Sequence, residues 1–247
     1  MTKTRVDVAL VERGLVESRS KAQALIMAGV VFSGETKITK AGHQIKEDTA
    51  LDVRGKDHPW VSRGGLKLEK GLKEFPVDLN GALVIDVGSS TGGFTDVALA
   101  GGAEKVYAVD VGRGQLAWKL RNDECVVVLE KTNARYLTHE HIPEPVDLVV
   151  CDASFISLKT VLPSALSFVK PGGALIALIK PQFEVGKGNV GKGGVVRDPD
   201  LHASVCEDIR LWLDAMPEWR AVGMTESPIK GPEGNIEFLI YGLKDSA

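Results

Sequence analysis

The chain has 247 residues, which is long enough for one large domain or for a medium-sized domain with a small companion. Hydrophobic residues make up 44% and charged residues 26% of the sequence, a balance typical of a globular protein in water. The sequence lacks the run of about 18 to 20 apolar residues that a membrane helix needs. Its first residues also lack the apolar core of a signal peptide. We therefore expect a cytoplasmic protein without a membrane partner.

The net charge of −3 hides a difference between the two parts of the chain. Residues 1–60 carry 10 Lys and Arg against 8 Asp and Glu, whereas the remainder carries 20 against 25. A basic module on an acidic body suits a protein that holds a polyanion mainly from one end. The three cysteines, Cys125, Cys151 and Cys206, are widely spaced in apolar surroundings. They indicate reduced, buried thiols, and they exclude a disulfide framework and a CxxC zinc site.

The first sixty residues predict two helices and a few short strands. A helix is expected over residues 5–13, and a second one between Ser18, which can cap it, and Gly29. Short apolar stretches at 30–32 and 51–53 predict strands. Together these elements form a small α+β domain.

A linker follows this domain. Pro59 restricts the residue before it and ends regular structure. Beyond the linker, Ser62 can cap a helix in which an apolar stripe of leucines ends at Phe75, while Lys67 lies off the stripe. We predict the small domain over residues 1–57, the linker over 58–61 and a larger domain over 62–247.

From residue 82 onward, apolar runs alternate with helical stretches. These runs lack the alternation of apolar and polar residues that is typical of a strand with one solvent-exposed face. They therefore predict strands buried on both faces of a mostly parallel sheet. The last two strands follow one another through a short turn, so the final strand is expected to be antiparallel. The prediction is a Rossmann-like α/β sheet of seven strands. The predicted strands are 82–87, 105–109, 125–129, 146–151, 174–179, 219–225 and 235–241, and the predicted helices are 93–100, 114–121, 157–168 and 200–215.

A glycine-rich turn follows the first of these strands. Its spacing is G-x-x-x-G-G and differs from the G-x-G-x-x-G of a dinucleotide site. Free amides at a helix start favour a carboxylate, and Asp86 can hold an ammonium group, so the turn favours a cofactor with an amino-acid end. The predicted contacts are Asp86, Gly88, Ser89, Ser90, Thr91, Gly92, Gly93 and Phe94.

Polar residues after the next two strands predict an adenosine site. Asp110 ends the second strand and can accept hydrogen bonds from both ribose hydroxyls of a nucleoside. Val111 follows it, and Asn133, after the third strand, can bracket the adenine. With Asp152 after the fourth strand, these residues complete the predicted cofactor site.

A phosphate motif near residue 190 is excluded. Residues 186–192 match GxxxxGK, but Gly193 replaces the Ser or Thr that would hold magnesium, and no strand precedes the motif. We interpret 184–196 as a flexible loop at the rim of the site.

Four charged residues are expected at one crevice. Asp152 and Lys180 end the fourth and fifth strands, Glu237 interrupts the apolar residues of the last strand, and Lys67 comes from the helix before the sheet. Burying an unpaired ammonium is costly, so burial favours the neutral amine form of Lys180. In that form Lys180 can accept a proton. The alternative is an ion-pair network that only stabilises the sheet edge.

The order Lys67, Asp152, Lys180, Glu237 resembles the K-D-K-E tetrad of the FtsJ-type RNA 2′-O-methyltransferases. Five segments resemble the TlyA family in particular: 62–65 (SRGG), 92–95 (GGFT), 114–118 (GQLAW), 154–157 (SFIS) and 180–187 (KPQFEVGK).

This resemblance implies S-adenosylmethionine as the cofactor and the 2′-hydroxyl of a cytidine in ribosomal RNA, or in a ribosomal subunit, as the acceptor. It also implies an N-terminal RNA-binding domain of the kind shared with a ribosomal small-subunit protein and tyrosyl-tRNA synthetase. It requires no metal, and the sequence carries no signal for a particular oligomeric state. The implied RNA contacts are Arg5, Arg19, Lys21 and Arg63.

In this chemistry Lys180 is the expected base, oriented by Asp152 and Glu237 and assisted by Lys67. Two other methylation chemistries fit the residues less well. Methylation of a pyrimidine carbon needs a cysteine nucleophile, and Cys151 should point away from Asp152 on a strand. Methylation of an adenine amino group favours an Asn/Asp-Pro-Pro-aromatic turn, and residues 152–155 are Asp-Ala-Ser-Phe.

Two rival functions come from other classes. The TlyA family carries a historical hemolysin label, but a membrane-active protein needs an amphipathic inserting segment, and the sequence contains none. Liposome leakage without the methyl donor would favour it. A non-catalytic RNA-binding ribosome factor is the second rival, and a failure to bind S-adenosylmethionine would favour it.

Overall fold

A computed structural model describes residues 3–16, 18–46, 49–53, 58–231 and 234–246, and the side chain of Lys187 is not described. The chain divides into two compact units, Met1–Pro59 and Trp60–Ala247. Asp57, the last residue of the predicted small domain, lies outside the described residues.

The first unit is a small α+β structure. Strand β1 pairs antiparallel with β4, and β2 lies between β3 and β5 in a three-stranded antiparallel sheet. Its elements are β1 (Lys3–Arg5), α1 (Val6–Glu12), α2 (Arg19–Met27), β2 (Val31–Ser33), β3 (Thr36–Lys37), β4 (Gln44–Lys46) and β5 (Asp52–Val53).

The two helices of this unit form where the sequence predicts them. Ser18 caps α2, because its hydroxyl accepts a hydrogen bond from the Lys21 amide at 3.3 Å. The apolar faces of α1 and α2 meet the strands in one buried cluster, made of Val6, Ala9, Leu10, Ala22, Ile26, Val31, Ile38 and Ile45.

The second unit is an α/β sheet with helices on both faces. Its first half comprises α3 (Gly65–Glu74), β6 (Leu83–Val87), α4 (Gly93–Ala100), β7 (Lys105–Val109), α5 (Trp118–Arg121), β8 (Val126–Leu129) and a 3₁₀ turn (Ala134–Tyr136). Its second half comprises β9 (Val146–Cys151), α6 (Leu158–Leu166), β10 (Val169–Ile179), α7 (Pro181–Glu184), a 3₁₀ turn (Lys187–Asn189), α8 (Pro199–Asp214), β11 (Trp219–Glu226) and β12 (Phe238–Lys244).

The seven strands lie in the order β11-β12-β10-β9-β6-β7-β8. Strands β6 to β10 are parallel, and β12, the last strand of the chain, runs antiparallel to both of its neighbours. Separate apolar clusters cover the two faces of the sheet, one including Leu162 of α6 and Ile209 of α8, the other Leu68 of α3 and Phe94 of α4. The predicted fold class, with its antiparallel last strand, is therefore confirmed.

Three local predictions in this unit were wrong. Ser62 does not cap α3, because a tight turn precedes the helix and the Ser62 backbone carbonyl accepts the Gly65 amide at 3.1 Å. The helix expected over 114–121 begins only at Trp118, because Gly114 has a left-handed backbone and its amide is bound by Glu130 at 2.7 Å. The last strand begins at Phe238, so Glu237 precedes it.

Candidate active site

The carboxyl ends of the parallel strands surround two adjoining cavities. The chain places β7 and β8 on one side of β6 and then β9 and β10 on the other, so its direction of travel reverses between β6 and β9. In open α/β sheets, ligands bind at such a reversal. The larger cavity has a volume of about 500 Å³ and the smaller one about 250 Å³. Gly88, Ser90, Asp152 and Ser154 line both.

The predicted cofactor residues are divided between the two cavities. Those that line the larger cavity are Gly88, Ser90, Asp110, Val111, Asn133 and Asp152. Those that line the smaller cavity are Gly88, Ser89, Ser90, Thr91, Gly93, Phe94 and Asp152. Asp86 and Gly92 are buried behind the cavity walls and line neither of them.

The glycine turn packs tightly against the neighbouring strand ends. Gly88 has a left-handed backbone with a φ of +80°, and a methyl group on it would come within 2.9 Å of Ala153 Cα. Ser90 is also left-handed, with a φ of +47°, and donates its amide to Asp110 Oδ2 at 2.8 Å. The turn therefore exposes its backbone to both cavities while it stays fixed to β7 and β9.

Asp86 is a fully buried carboxyl directly behind this turn. Its Oδ2 accepts hydrogen bonds from the Thr95 amide at 3.0 Å and the Thr95 hydroxyl at 2.6 Å. Its Oδ1 is buried without a hydrogen-bond partner in the described structure. Burial raises the pKa of Asp86 to about 7, although the Thr95 hydrogen bonds oppose that change. An unpartnered buried oxygen at this position can accept a hydrogen bond from a cationic ligand.

The two polar residues predicted to hold an adenosine also have local structural contacts. Asp110 accepts hydrogen bonds from the amides of Ser90 and Gly112, the second at 2.7 Å. The Asn133 side chain accepts one from the Arg135 amide at 3.1 Å. Each carboxylate oxygen has further lone pairs, so Asp110 can still accept hydrogen bonds from ligand hydroxyls.

The structure brings the four residues of the predicted tetrad into one ion-pair network. Lys67 Nζ lies 2.8 Å from Glu237 Oε2 and 3.3 Å from Asp152 Oδ2. Lys180 Nζ lies 2.6 Å from Asp152 Oδ1. Lys67, Lys180 and Glu237 are all buried, at 7%, 5% and 1% exposure, so two cations balance two carboxylates with little solvent screening. Lys67, Asp152 and Lys180 line the smaller cavity.

Glu237 is held by the segment that precedes β12. Its backbone carbonyl accepts the Ser227 amide at 2.9 Å. Two residues earlier, the Asn235 side chain accepts the Val196 amide at 3.1 Å and donates to the Gly194 carbonyl at 3.0 Å. Glu237 therefore reaches Lys67 from a loop whose own hydrogen bonds also fix one end of the 184–196 segment.

The residues with predicted RNA contacts lie in both units. Arg63 is exposed and lines the smaller cavity, beside the tetrad. Arg5, Arg19 and Lys21 are exposed in the first unit, where Arg5 ends β1 and the other two lie in the first turn of α2.

Sequence reasoning missed Asp7, which organises two of these arginines. Arg5 binds both carboxylate oxygens of Asp7 at 2.9 Å, and Arg19 and Gln23 bind Oδ2 at 3.2 Å and 3.0 Å. The Arg5 guanidinium holds the pKa of this buried carboxyl well below its usual range. The signal was the Arg-x-Asp spacing at the predicted start of α1.

Two cavity residues, Ser154 and Phe155, belong to the 154–157 segment that resembles the TlyA family, but no role was predicted for them. Ser154 donates no bond within the described structure and accepts one from Lys180 Nζ at 2.8 Å. Phe155 is 90% exposed, lines the larger cavity and has a left-handed backbone with a φ of +65°. Their position just beyond Asp152 at a strand end was the available signal.

Among the described residues, no helix is long and apolar enough to cross a membrane. Nor does this part of the chain bring together three or more His, Cys, Asp or Glu side chains in a way that could hold a metal ion.

Comparison with known proteins identifies both units. A profile of the S4 domain matches residues 4–51, and a profile of the FtsJ-like methyltransferases matches residues 60–244. The Bacillus subtilis protein YqxC is 52% identical over 240 residues, which cover 97% of this chain and 85% of YqxC. The Mycobacterium tuberculosis 16S/23S rRNA (cytidine-2′-O)-methyltransferase TlyA is 48% identical over 97% of this chain and 89% of its own length.

A solved structure agrees with these sequence relatives. A Streptococcus thermophilus protein that carries the label hemolysin has a TM-score of 0.77 and 41% identity, with 100% of this chain and 90% of that chain covered. The chain therefore belongs to the TlyA family of FtsJ-like rRNA methyltransferases and carries an N-terminal S4 domain.

Proposed function

We propose that this protein transfers a methyl group from S-adenosylmethionine to the 2′-hydroxyl of a cytidine in ribosomal RNA. The observation that carries the proposal is the buried network of Lys67, Asp152, Lys180 and Glu237, which reaches the wall of one cavity beside a second cavity large enough for a nucleoside. The TlyA relative from Mycobacterium tuberculosis is named for this reaction, and its 48% identity over 97% of this chain supports the same assignment here.

The residues around the larger cavity fit the methyl donor. The Asp110 carboxylate suits the ribose hydroxyls, and Asn133 suits the adenine edge. The turn at Gly88 offers backbone at close range to the amino-acid end, and Asp86, which lines neither cavity, carries an unpartnered Oδ1 directly behind that turn. When bound, the donor supplies an electrophilic methyl group.

The tetrad supplies the proton chemistry at the acceptor oxygen. A ribose hydroxyl is a poor nucleophile, so its proton must leave as the oxygen attacks. Lys180, in its amine form, accepts that proton: the substrate O–H bond breaks and an N–H bond forms on Nζ. Asp152 then stabilises the new ammonium at 2.6 Å. Lys67 holds Asp152 and Glu237 together, which keeps the Asp152 carboxylate in place.

The neighbouring thiol does not support methylation of a pyrimidine carbon. Cys151 is fully buried in the core, and burial raises its pKa to about 12. A neutral thiol inside the sheet cannot act as the nucleophile that such a reaction needs.

RNA binding is assigned to the first unit and to the mouth of the smaller cavity. Arg5, Arg19 and Lys21 are exposed cations that suit phosphates, and Arg63 suits a phosphate beside the target nucleotide. We assign residues 1–57 to this RNA-binding domain, 58–61 to the linker and 62–247 to the catalytic domain. We infer a cytoplasmic location from this proposed partner, because ribosomes assemble in the cytoplasm.

Replacement of the proposed base tests the function. Lys180→Ala should abolish methyl transfer to rRNA, because it removes the amine that finally accepts the proton, while binding of S-adenosylhomocysteine measured by calorimetry stays nearly unchanged. Lys170→Ala is the matched control, since Lys170 lies on β10, the strand that Lys180 directly follows, is half exposed and pairs with Asp147 away from both cavities.

Mass-spectrometric mapping of rRNA from cells with and without the protein identifies the product. The proposal expects one or more cytidines that carry a 2′-O-methyl group only when the protein is present. A Lys180→Ala variant with full activity would refute the tetrad assignment, and methyl groups found only on bases would refute the reaction.

A further inference from the structure

The Ser154 hydroxyl lies between Lys180 and the space that the two cavities share. Ser154 Oγ is 2.8 Å from Lys180 Nζ, and Ser154 lines both cavities. The residue is exposed although Lys180, its partner, is only 5% exposed. Ser154 therefore links a buried amine, which lines only the smaller cavity, to the wall that the two cavities share.

The Lys180 ammonium has three oxygen neighbours of different kinds. It donates hydrogen bonds to the Asp152 carbonyl at 3.2 Å and to Ser154 Oγ at 2.8 Å, and it forms an ion pair with Asp152 Oδ1 at 2.6 Å. The two Asp152 oxygens belong to a carbonyl and a carboxylate, which can never donate. Ser154 is the one of these three neighbours that can both accept and donate.

This difference decides where the lone pair of the amine points. When Lys180 is neutral, its lone pair turns away from the two Asp152 oxygens, because both are acceptors only and would repel it. The lone pair then faces Ser154. Any proton that reaches Lys180 from the cavity by this direction passes the Ser154 oxygen first.

We propose that Ser154 is a further catalytic residue, which relays the proton of the substrate hydroxyl to Lys180. The inference rests on the proposed function. In this step the substrate O–H bond breaks and an O–H bond forms on Ser154 Oγ, while the original Ser154 O–H bond breaks and an N–H bond forms on Lys180 Nζ. Ser154 begins and ends as a neutral hydroxyl, so the step needs no further reactant.

Three variants test the relay in full-length protein with rRNA as the substrate. Ser154→Ala should lower kcat by about 10- to 100-fold, because the proton loses its carrier, and should leave the affinity for S-adenosylhomocysteine unchanged. Ser154→Thr keeps the hydroxyl and should restore most of kcat. Ser164→Ala is the control, since Ser164 lies on α6, donates its hydroxyl to the Leu137 carbonyl at 3.0 Å and lines neither cavity.

The rate of a single turnover in mixtures of light and heavy water separates a relay from a merely structural role. Two protons move in the parent protein, so the rate should depend on the deuterium fraction along a curve, whereas Ser154→Ala should give a straight line. Should the alanine variant fail to fold, Ser154→Gly also removes the hydroxyl and takes its place.

Several results would overturn the relay. They are an unchanged kcat in Ser154→Ala, equal losses in the alanine and threonine variants, or the same curve in the parent and the alanine variant. A parent protein that methylates no rRNA refutes the proposed function itself, and the relay falls with it, whereas a failure confined to the Ser154 variants leaves the proposed function standing.

Discussion

The protonation of the buried Asp86 carboxyl is expected to affect both the stability of the protein and the affinity of the site for the methyl donor. Its pKa is raised to about 7 because burial disfavours the charged form. In the absence of a cation, the folded protein therefore holds a proton on Asp86 between about pH 4 and 7, while the unfolded chain has already lost it. The contribution of Asp86 to the free energy of unfolding falls as pH rises through that window.

Binding of the methyl donor should favour the ionised form of Asp86 over the protonated form. If Asp86 must be ionised to hold an ammonium group, the affinity for S-adenosylhomocysteine should rise with pH and level off above about 7, with a loss of about tenfold for each pH unit below that. Calorimetry between about pH 5.5 and 8 measures the effect. Asp86→Asn should bind more weakly and with a flat profile. A sloping profile that survives this substitution would assign the titration to another group.

At the scale of elements, the glycine turn depends on the distance between β6 and the connection after β9. Gly88→Ala adds a methyl group 2.9 Å from Ala153 Cα at a left-handed position, so the turn and the Ala153 backbone must move apart. We expect donor affinity to fall at least about tenfold, since 1.4 kcal/mol of strain suffices for that factor. The loss is measured by calorimetry with S-adenosylhomocysteine.

The control for this substitution isolates backbone strain from crowding. Gly81 is also left-handed, with a φ of +69°, but a methyl group on it meets no atom within 4 Å. Gly81→Ala should therefore cost about 1 kcal/mol of stability and leave donor affinity unchanged. Equal losses of affinity in the two variants would contradict the close contact with Ala153.

The elements that the sequence predicted well are those with one dominant local signal. Apolar runs located the central strands of the large sheet, because strands buried on both faces tolerate few polar residues. Residues whose conformation or hydrogen bonds depend on partners distant in sequence were harder to predict. Gly114 is removed from a helix by Glu130, and Ser62 gives its carbonyl rather than its hydroxyl to the turn before α3. The burial of Asp7 could not be predicted from its own segment, because two of its hydrogen-bond partners, Arg19 and Gln23, lie on α2.

The candidate site shows the same division. Chain order and strand ends were enough to propose Lys67, Asp152, Lys180 and Glu237 as one group. The side-chain partners within it were not predictable, because they depend on atomic distances. Ser154 is the example, since only its 2.8 Å separation from Lys180 sets it apart from other serines in the loops.

At the scale of the whole molecule, the net charge of −3 disfavours the binding of RNA, so local clusters of cations must supply the attraction to its phosphates. Lys21 is exposed in the first turn of α2, and among the described residues only its backbone amide has a hydrogen-bond partner, Ser18. Lys21→Ala should weaken rRNA binding and reduce the slope of log affinity against log salt by about one, as expected for one lost phosphate contact. Donor affinity should not change.

Filter-binding titrations at several salt concentrations measure that slope. Lys170→Ala removes a half-exposed lysine from the catalytic unit and should leave the slope as in the parent protein. If Lys21→Ala also leaves it unchanged, phosphate contacts of the S4 domain must come from its other cations.

The 2.8 Å contact between Lys67 and Glu237 joins residues that are 170 positions apart. Residues that line the larger cavity end at Val161, so all of them are synthesised well before Glu237, one of the two carboxylate partners of Lys67. A chain that ends before Glu237 lacks the complete proton-handling network, whatever its state of folding. The order of translation therefore delays completion of this network until Glu237 has been made.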